Sequence, residues 1–307
     1  FSIADREPVQ VVDETLICDL PFVDLGNLPA DNRQAEVRRL ATEHARQPFD
    51  LTEAPLFRLC LLRLSETEHI LLLTIHHIIS DAWSLDIFLR EMTEAYASNR
   101  DNHDAVLAKP PVQYADFSIW QRQWAAQRGL EQQLVYWRKQ LADAPEALDL
   151  PTDKPRPQPL SFAGAQQAAE FPRDLIEGLR RLSKQENVTL FMLLLAAFNA
   201  LLARYSGQED ILLGSPIAGR NRMETESLIG LFVNTLVLRT DLSGNPSLRE
   251  LLRRTKENTL AAHANQDLPF EKLVEELQPA RGVGHSPFFQ VMLDFKSASG
   301  SRSQRGG

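Results

Sequence analysis

The sequence predicts a mixed α/β (α+β) protein built from two halves, each of which combines strands with helices. Apolar runs of strand length alternate with amphipathic helical patterns in both halves of the chain. A proline-rich stretch, residues 145–160, separates the halves, because prolines at this density forbid a continuous helix and favour an extended connector. The 307 residues suffice for one large or two ordinary domains. We therefore expect lobes at residues 1–144 and 161–296, then a disordered Ser-, Gly- and Arg-rich tail, 297–307.

A β-hairpin followed by a helix is the clearest pattern of the first half. The apolar runs Leu56–Leu64 and His69–Ile75 flank a polar turn, which favours a hairpin although the turn lacks glycine. A helix follows the second run, since apolar residues recur at helical spacing from Leu85 to Tyr96. The other elements predicted for this half are a strand at Val9–Cys18 and helices at Asn32–Gln47, Gln113–Ala126 and Glu131–Leu141.

Helices and short strands alternate in the second half. The run Val188–Tyr205 is apolar enough for a buried helix and ends at Ser206–Gly207, a typical C-terminal cap. Ser247–Glu250 is a capping box that opens a long helix. Asp267 is predicted to cap the next helix, with Pro269 in its first turn. The remaining predicted elements are strands at Gln166–Phe171, Ile211–Gly214, Leu228–Leu238 and Phe288–Phe295 and a helix at Pro172–Glu186.

Two adjacent histidines end the predicted strand His69–Ile75. His76 and His77 are followed by Asp81, in the turn before the predicted helix. Because neighbouring strand side chains point to opposite faces, the two histidines should do different jobs, one facing the core and the other a cavity. Strand ends and the loops after them are where α/β folds place chemistry.

Three interpretations of this pair are open. A histidine after a buried strand is, on its own, more often a packing or surface residue than a catalytic one. Metal binding is disfavoured, because neighbouring strand residues diverge and no Cys or Glu lies at ligand spacing. General base catalysis fits an imidazole, which can take a proton from an incoming nucleophile near physiological pH.

The composition excludes several classes of function. With 33 basic and 41 acidic residues the net charge is −8, which argues against nucleic acid as a partner. Cys18 and Cys60 form no disulfide framework, and a reduced, cytoplasmic setting fits. Charged residues interrupt the first segment, so no signal peptide is expected. The longest apolar stretch, Val188–Ala203, is short for a membrane span, and no membrane partner is expected.

The pattern His-His-x-x-x-Asp resembles the active-site motif of condensation domains of non-ribosomal peptide synthetases, whose superfamily resembles chloramphenicol acetyltransferase. Five further stretches resemble ordered motifs of that family, namely Gln113–Arg122, Ser215–Arg220, Ile229–Leu236, Asn265–Glu271 and His285–Met292. Leu150–Pro157 resembles its inter-lobe linker. Because the motifs occur in the expected order over residues 69–293, the chain is identified as a member of this family.

The sequence departs from the family pattern in two ways. Ala82 replaces the usual glycine after the motif aspartate, which requires a turn compatible with negative φ. The family's first two motifs would lie before Phe1, and the chain stops soon after Val291–Met292, where the family continues. We therefore expect both lobes to be truncated and the chain to be a fragment of a multidomain synthetase.

The resemblance implies two chloramphenicol acetyltransferase-like lobes, each a mixed sheet packed with helices, with the active site at their interface. It implies that the chain forms an amide bond, by transfer of an acyl or aminoacyl group from a thioester to an amine. The partners implied are upstream and downstream peptidyl carrier domains and an adjacent adenylation domain. The domain itself is expected to bind no metal and no cofactor, since phosphopantetheine on the carrier domains holds both substrates.

The resemblance also assigns roles to particular residues. His77 takes the central catalytic position, either as general base or as a positioning group, and His76 supports the backbone and faces the core. Asp81 forms a structural ion pair with an arginine of the other lobe, for which Arg220 is the candidate. Three residues are candidates for the substrate tunnel, namely Asn234, Trp83 and Ser84. For Asn234 a strand hydrogen bond is an equally good interpretation.

Rival functions share this fold. An epimerisation domain carries a similar histidine motif. The sequences of residues 81–84 and 114–122, however, look more like those of peptide-bond-forming domains that take L-configured donors. A non-catalytic carrier-recruiting module would be expected to lose the second histidine, which is present here as His77. A heterocyclisation domain would replace the histidine pair with aspartate, and a plant-type acyltransferase would share only His-x-x-x-Asp. The donor, the acceptor and the product are not encoded in any of these motifs.

Overall fold

The computed structural model describes residues 1–4, 7–13, 15–125, 130–154, 164–279 and 286–296. The chain forms two units, the first made of Phe1–Gln121 with Arg220–Phe232 and the second of Arg122–Gly219 with Val233–Gly307. The predicted tail, 297–307, and the middle of the proline-rich connector, 155–160, lie outside the described residues.

The two units differ from the predicted lobes in two respects. Residues 122–144, predicted in the first lobe, belong to the second unit, because Trp137 lies in its apolar core and donates its indole N–H to Asn265 O at 2.9 Å. Residues 220–232, predicted in the second lobe, belong to the first unit, where side chains of a helix hold them.

A three-stranded sheet organises the first unit. Its strands are β3 (Phe22–Asp24), β4 (Phe57–Arg63) and β5 (His69–Ile75), in the order β3-β4-β5, and a separate antiparallel pair comprises β1 (Ser2–Ala4) and β2 (Glu7–Val9). β4 pairs in parallel with β3 and antiparallel with β5. In the part of the sheet that the structure describes, β5 is therefore an edge strand, and His76 and His77 follow directly after its C-terminal end. Helix α1 (Ala30–Arg46) lies between β3 and β4 in the chain, and α2 (Ala82–Arg100) and α3 (Tyr114–Trp124) come after β5.

The hairpin turn closes without glycine because a serine side chain organises it. Ser65 Oγ accepts hydrogen bonds from the backbone N–H groups of Thr67 and Glu68 at 3.3 and 3.1 Å. The backbone closes with a bond from Leu64 N to Glu68 O at 2.8 Å. Apolar packing of Leu62, which has no exposed surface, against Leu25 and Leu64 fixes the face of β4 that is buried.

The second unit surrounds an antiparallel strand pair with helices. The strands are β6 (Asp210–Ile217) and β7 (Asn234–Asp241), and the helices are α4 (Leu130–Gln140), α5 (Arg173–Gln185), α6 (Leu190–Ser206), α7 (Leu248–Ala264) and α8 (Phe270–Leu277). The predicted C-cap Gly207 has φ +72°, and the predicted N-cap Ser247 accepts a hydrogen bond from Glu250 N. Both caps are confirmed.

Several predicted elements are wrong. No strand covers residues 10–13, 15–18 or 166–171, and near 288–295 only an isolated bridge joins Gly214 to Met292. The strand predicted to begin at Leu228 begins at Asn234. Asp267 does not cap α8, which is preceded by Pro269 and whose first N–H donates to Asn234 Oδ1.

Among the described residues, no single helix combines the length and apolarity needed to cross a membrane. Only α5 and α6 taken together meet those criteria, and they are bent by 104° at their junction.

Candidate functional site

The two histidines lie at the end of the hairpin strand and face different surroundings. His76 continues the pairing of β5, with its N–H bonded to Leu56 O at 2.9 Å, and its Nδ1 accepts a hydrogen bond from Ile78 N at 3.0 Å. The His76 ring also meets Phe49 edge-on, with centroids 5.8 Å apart. His77 begins a single 3-10 turn and is exposed. Thus His76 shapes the backbone, while the His77 imidazole is accessible.

Asp81 closes this turn and starts α2. Its Oδ1 accepts a hydrogen bond from Ser84 N at 2.8 Å, which caps the helix, and its Oδ2 accepts one from Phe232 N at 3.0 Å. Burial tends to raise the pKa of Asp81, but these hydrogen bonds and the Arg220 charge outweigh it and lower the pKa below its usual value. Asp81 is therefore a buried carboxylate. Ala82, at the usual glycine position, opens α2 with negative φ, so no glycine is needed.

Arg220 is the cation facing Asp81. Its Nη2 lies 3.2 Å from Asp81 Oδ1, and only 1% of its side chain is exposed. Its Nη1 donates to the carbonyls of Thr225 and Leu228, and its guanidinium lies 4.0 Å from the ring centre of Phe232. Burial lowers the pKa of Arg220, and the Asp81 charge opposes that change. Arg220 is the arginine that the sequence analysis named as the candidate partner of Asp81, and the segment that it begins is grouped with Asp81 in the first unit.

Ser84 and Trp83, predicted to line a tunnel, are engaged by the protein itself. Ser84 has no exposed surface, and its hydroxyl bonds to Gly230 and Arg220, so it has no free face with which to line a tunnel. The Trp83 indole N–H donates to Glu226 O at 2.9 Å, and 43% of the residue is exposed. Trp83 is therefore partly engaged and partly exposed, and its role in a tunnel stays a prediction.

Asn234 lies in the second unit and uses its amide to hold the start of α8. Its Nδ2 donates to the carbonyls of Gln266 and Leu268 at 2.8 and 2.9 Å. Its Oδ1 accepts from Phe270 N at 3.0 Å and Thr235 N at 2.8 Å. These four hydrogen bonds to the backbone indicate a structural role for Asn234, which supports the hydrogen-bond interpretation over the tunnel interpretation.

Three residues of the first unit make contacts that the sequence analysis did not identify. Phe49 packs on His76, and Arg58 lies 3.8 Å above the centre of the Phe49 ring. Tyr114, which lies in the motif stretch Gln113–Arg122, donates its hydroxyl to Leu231 O at 2.9 Å. Burial first, and then the Asp81 charge, raise the pKa of Tyr114, so its phenol stays protonated and can donate. No pattern along the chain marks such contacts, because their partners are distant in sequence.

The described part of the site offers one accessible imidazole on a turn whose flanks are anchored by side chains. Among the residues that the structure describes, no three His, Cys, Asp or Glu side chains are grouped to hold a metal ion. The accessible group suits proton handling or hydrogen bonding to a polar substrate atom.

Comparison with known proteins places this geometry in a family. The family model described as Condensation domain matches residues 1–306. The chain belongs to the condensation domain family. It is 52% identical over 293 residues to one of the linear gramicidin synthase proteins of Brevibacillus parabrevis, covering 95% of this chain. The chain spans only 6% of the length of that relative.

Solved structures show the same fold. The X-domain in complex with OxyB from teicoplanin biosynthesis has a TM-score of 0.85 at 28% identity, covering 94% of this chain and 64% of that chain. Holo-AB3403, a four-domain nonribosomal peptide synthetase bound to AMP and glycine, has a TM-score of 0.79 at 26% identity, covering 92% and 21%. The predicted family and the mixed α/β, chloramphenicol acetyltransferase-like fold are thereby confirmed.

Proposed function

We propose that this condensation domain forms a peptide bond between an acyl or aminoacyl group on an upstream carrier domain and an aminoacyl group on a downstream one. Each substrate is tethered as a thioester of the carrier's phosphopantetheine, and an adjacent adenylation domain supplies the amino acid. Similarity to a linear gramicidin synthase and to a four-domain nonribosomal peptide synthetase supports this setting. The donor in this proposal has the L configuration.

The observation that carries the proposal is the contrast between His77 and its surroundings. The His77 side chain is exposed, while His76 before it and Asp81 after it hold the turn through hydrogen bonds to the backbone. The backbone that carries His77 is held in this way, so the turn can present its side chain to a substrate without reorganising first, which is how positioning lowers a barrier.

In the proposed reaction the acceptor amine attacks the donor carbonyl. A C–N bond forms, the C–S bond breaks, and the amine loses one proton while the released thiolate gains one. The thioester is already activated, so the domain mainly aligns the two groups and manages that proton. We assign His77 to the attacking amine, because it is the accessible imidazole of the motif.

The test uses the synthetase that contains this chain, with one carrier loaded with an L-configured donor and the other with an amino acid. Intact-protein mass spectrometry follows the mass of the acceptor carrier. We expect transfer in the wild type, loss of at least a hundredfold in rate in His77→Ala, and wild-type rates in His69→Ala, which removes an exposed histidine from the other end of β5. Equal transfer in wild type and His77→Ala would overturn the role of His77.

Two further arms refine the assignment. His77→Gln retains a hydrogen-bonding side-chain nitrogen but cannot act as a base near neutral pH, so activity in this variant indicates positioning and its loss indicates proton transfer. A D-configured donor tests the stereochemical part, since equal or faster transfer from it would contradict the L assignment. Loss of Cα–deuterium from a tethered residue without transfer would point to epimerisation.

A carrier-recruiting module is the second candidate, favoured by the TM-score of 0.85 to an X-domain solved in complex with OxyB. Binding of loaded carriers with no transfer in the wild type would support it. The presence of His77 is the observation that favours catalysis.

A further inference from the structure

The segment 220–232 is held at both of its ends by the first turn of α2. At one end, the guanidinium of Arg220 donates to Ser84 Oγ at 2.8 Å. At the other end, Gly230 N donates to the same oxygen at 3.0 Å, and Ser84 Oγ donates to Gly230 O at 2.8 Å. Asp81 adds a bond from Phe232 N at 3.0 Å. Apart from one short 3-10 turn, the segment has no regular structure of its own, so these side chains are what fix its ends.

The hydroxyl of Ser84 has no capacity left for any other partner. A serine hydroxyl has one proton to donate and two lone pairs to accept with. Here the proton goes to Gly230 O, and the lone pairs take Gly230 N and Arg220 Nη2. Ser84 is completely buried, so removal of the hydroxyl leaves buried polar groups without the partner that they have here, which is costly.

Gly230 fits this arrangement because it has no side chain. A Cβ at Gly230 would lie 2.1 Å from Cδ2 of Tyr114, well inside van der Waals contact. The same tyrosine donates its hydroxyl to Leu231 O at 2.9 Å. The backbone at Gly230 is therefore hydrogen-bonded to the Ser84 hydroxyl and packed closely against the Tyr114 ring.

We infer that Ser84 is a positioning residue, which couples the 220–232 segment to the turn that carries His77. The coupling runs through Asp81, because Ser84 N caps against Asp81 Oδ1 while the Ser84 hydroxyl holds Arg220 and Gly230. Removal of the hydroxyl loosens the segment at Arg220 and Gly230, and the segment's Arg220 and Phe232 are hydrogen-bond partners of the Asp81 carboxylate that follows the His77 turn. The catalytic part of this inference rests on the proposed function.

The experiment compares Ser84→Ala with Thr93→Ala in the intact synthetase. Thr93 lies on the same helix, and its hydroxyl donates to Leu89 O of α2 at 2.7 Å, so it controls for loss of a helical hydroxyl. Hydrogen–deuterium exchange of peptides covering 220–232 is the first readout, and the transfer assay is the second. For Ser84→Ala we expect at least tenfold faster exchange in 220–232 and a kcat lowered at least tenfold with KM changed less. Thr93→Ala should match the wild type in both.

A second variant guards against a folding defect. Ser84→Cys nearly preserves the volume and keeps a weak donor, so its exchange and kcat should lie between those of wild type and Ser84→Ala. Unchanged exchange in 220–232 in both Ser84 variants would overturn the inference whatever the transfer rate.

His77→Ala separates the two proposals, since it should abolish transfer and leave exchange in 220–232 at the wild-type rate. A wild type without transfer would refute the proposed function, and exchange would still decide the role of Ser84 in holding the segment.

Discussion

The carboxylate of Asp81 and the guanidinium of Arg220 lie 3.2 Å apart in the first unit, although 139 residues separate them in sequence. Only 6% and 1% of their side chains are exposed. Each ion is also bonded to groups that the other does not touch, Asp81 to Phe232 N and Arg220 to the Leu228 carbonyl. The pair thus anchors the 220–232 segment and caps α2 at the same time.

Loss of either ion should destabilise the fold, because the remaining charge stays buried without its counter-ion. We expect Arg220→Ala and Asp81→Ala each to lower the free energy of unfolding by about 3–5 kcal/mol. Denaturant unfolding of the variants measures this. Arg100→Ala is a control, since it breaks an ion pair on the same helix with 69% of the arginine side chain exposed, and it should cost no more than about 1 kcal/mol. Equal costs in the buried and exposed variants would contradict the anchoring role.

The same carboxylate gives the stability a defined pH dependence. The pKa of Asp81 in the folded protein lies below its ordinary value of 3.8, so the unfolded state takes up the proton first as the pH falls. The stabilisation is therefore present in full above about pH 4–5 and is lost as the pH falls through the lowered pKa. Asp81→Asn should be less stable than the wild type at neutral pH, and the difference should shrink in acid. A difference that is constant from neutral pH down to strongly acidic pH would show that the Asp81 charge is not involved.

Local sequence signals were sufficient for elements whose stabilising contacts are also local. The hairpin β4–β5, the Ser247 cap and the Gly207 cap depend on residues only a few positions apart, and the sequence predicts all three. The strand predicted to begin at Leu228 failed for the opposite reason. Its backbone groups at Gly230 and Phe232 bond to side chains of α2, far away in sequence, and no neighbouring strand pairs with them.

The candidate site divides in the same way. The histidines and Asp81 are recognisable because they lie within one short motif. The hydrogen bonds of Ser84 to the 220–232 segment could not be recognised from the sequence, since a buried serine and a tunnel-lining serine look the same there. Phe49 was missed because only the fold places its ring against His76.

Phe49 should affect the histidine turn without touching substrate. Its ring packs edge-on against His76 at 5.8 Å, and Arg58 lies over it at 3.8 Å. We expect Phe49→Leu to cost about 1–2 kcal/mol, below the range for a fully buried phenylalanine truncated to alanine, because Phe49 is half-buried and leucine keeps part of the contact. We also expect kcat to fall several-fold as His76 loses its support.

The measurement pairs denaturant unfolding with the carrier-to-carrier transfer assay. Phe22→Leu is the control, because Phe22 is 55% exposed on β3 and distant in the sheet order from the end of β5. Phe22→Leu should change the free energy of unfolding by no more than about 0.5 kcal/mol and should leave the transfer rate unchanged. A Phe49→Leu variant with normal kcat would show that His76 holds its orientation through the Ile78 bond alone.

Asn234 offers a direct choice between a structural and a substrate-binding role. Its amide nitrogen faces two carbonyl oxygens and its amide oxygen faces two N–H groups, so every contact matches the chemistry of asparagine. We expect Asn234→Ala to cost about 1–3 kcal/mol, because the Phe270 N–H and the Leu268 carbonyl lose their partner. Asn234→Asp should cost at least as much, since a carboxylate oxygen would then face the two carbonyls. The control is Asn258→Ala, which removes a single bond to Arg239 O and should cost less than either. If Asn234 served the substrate tunnel instead, both variants would unfold like the wild type and raise the KM for the loaded carriers.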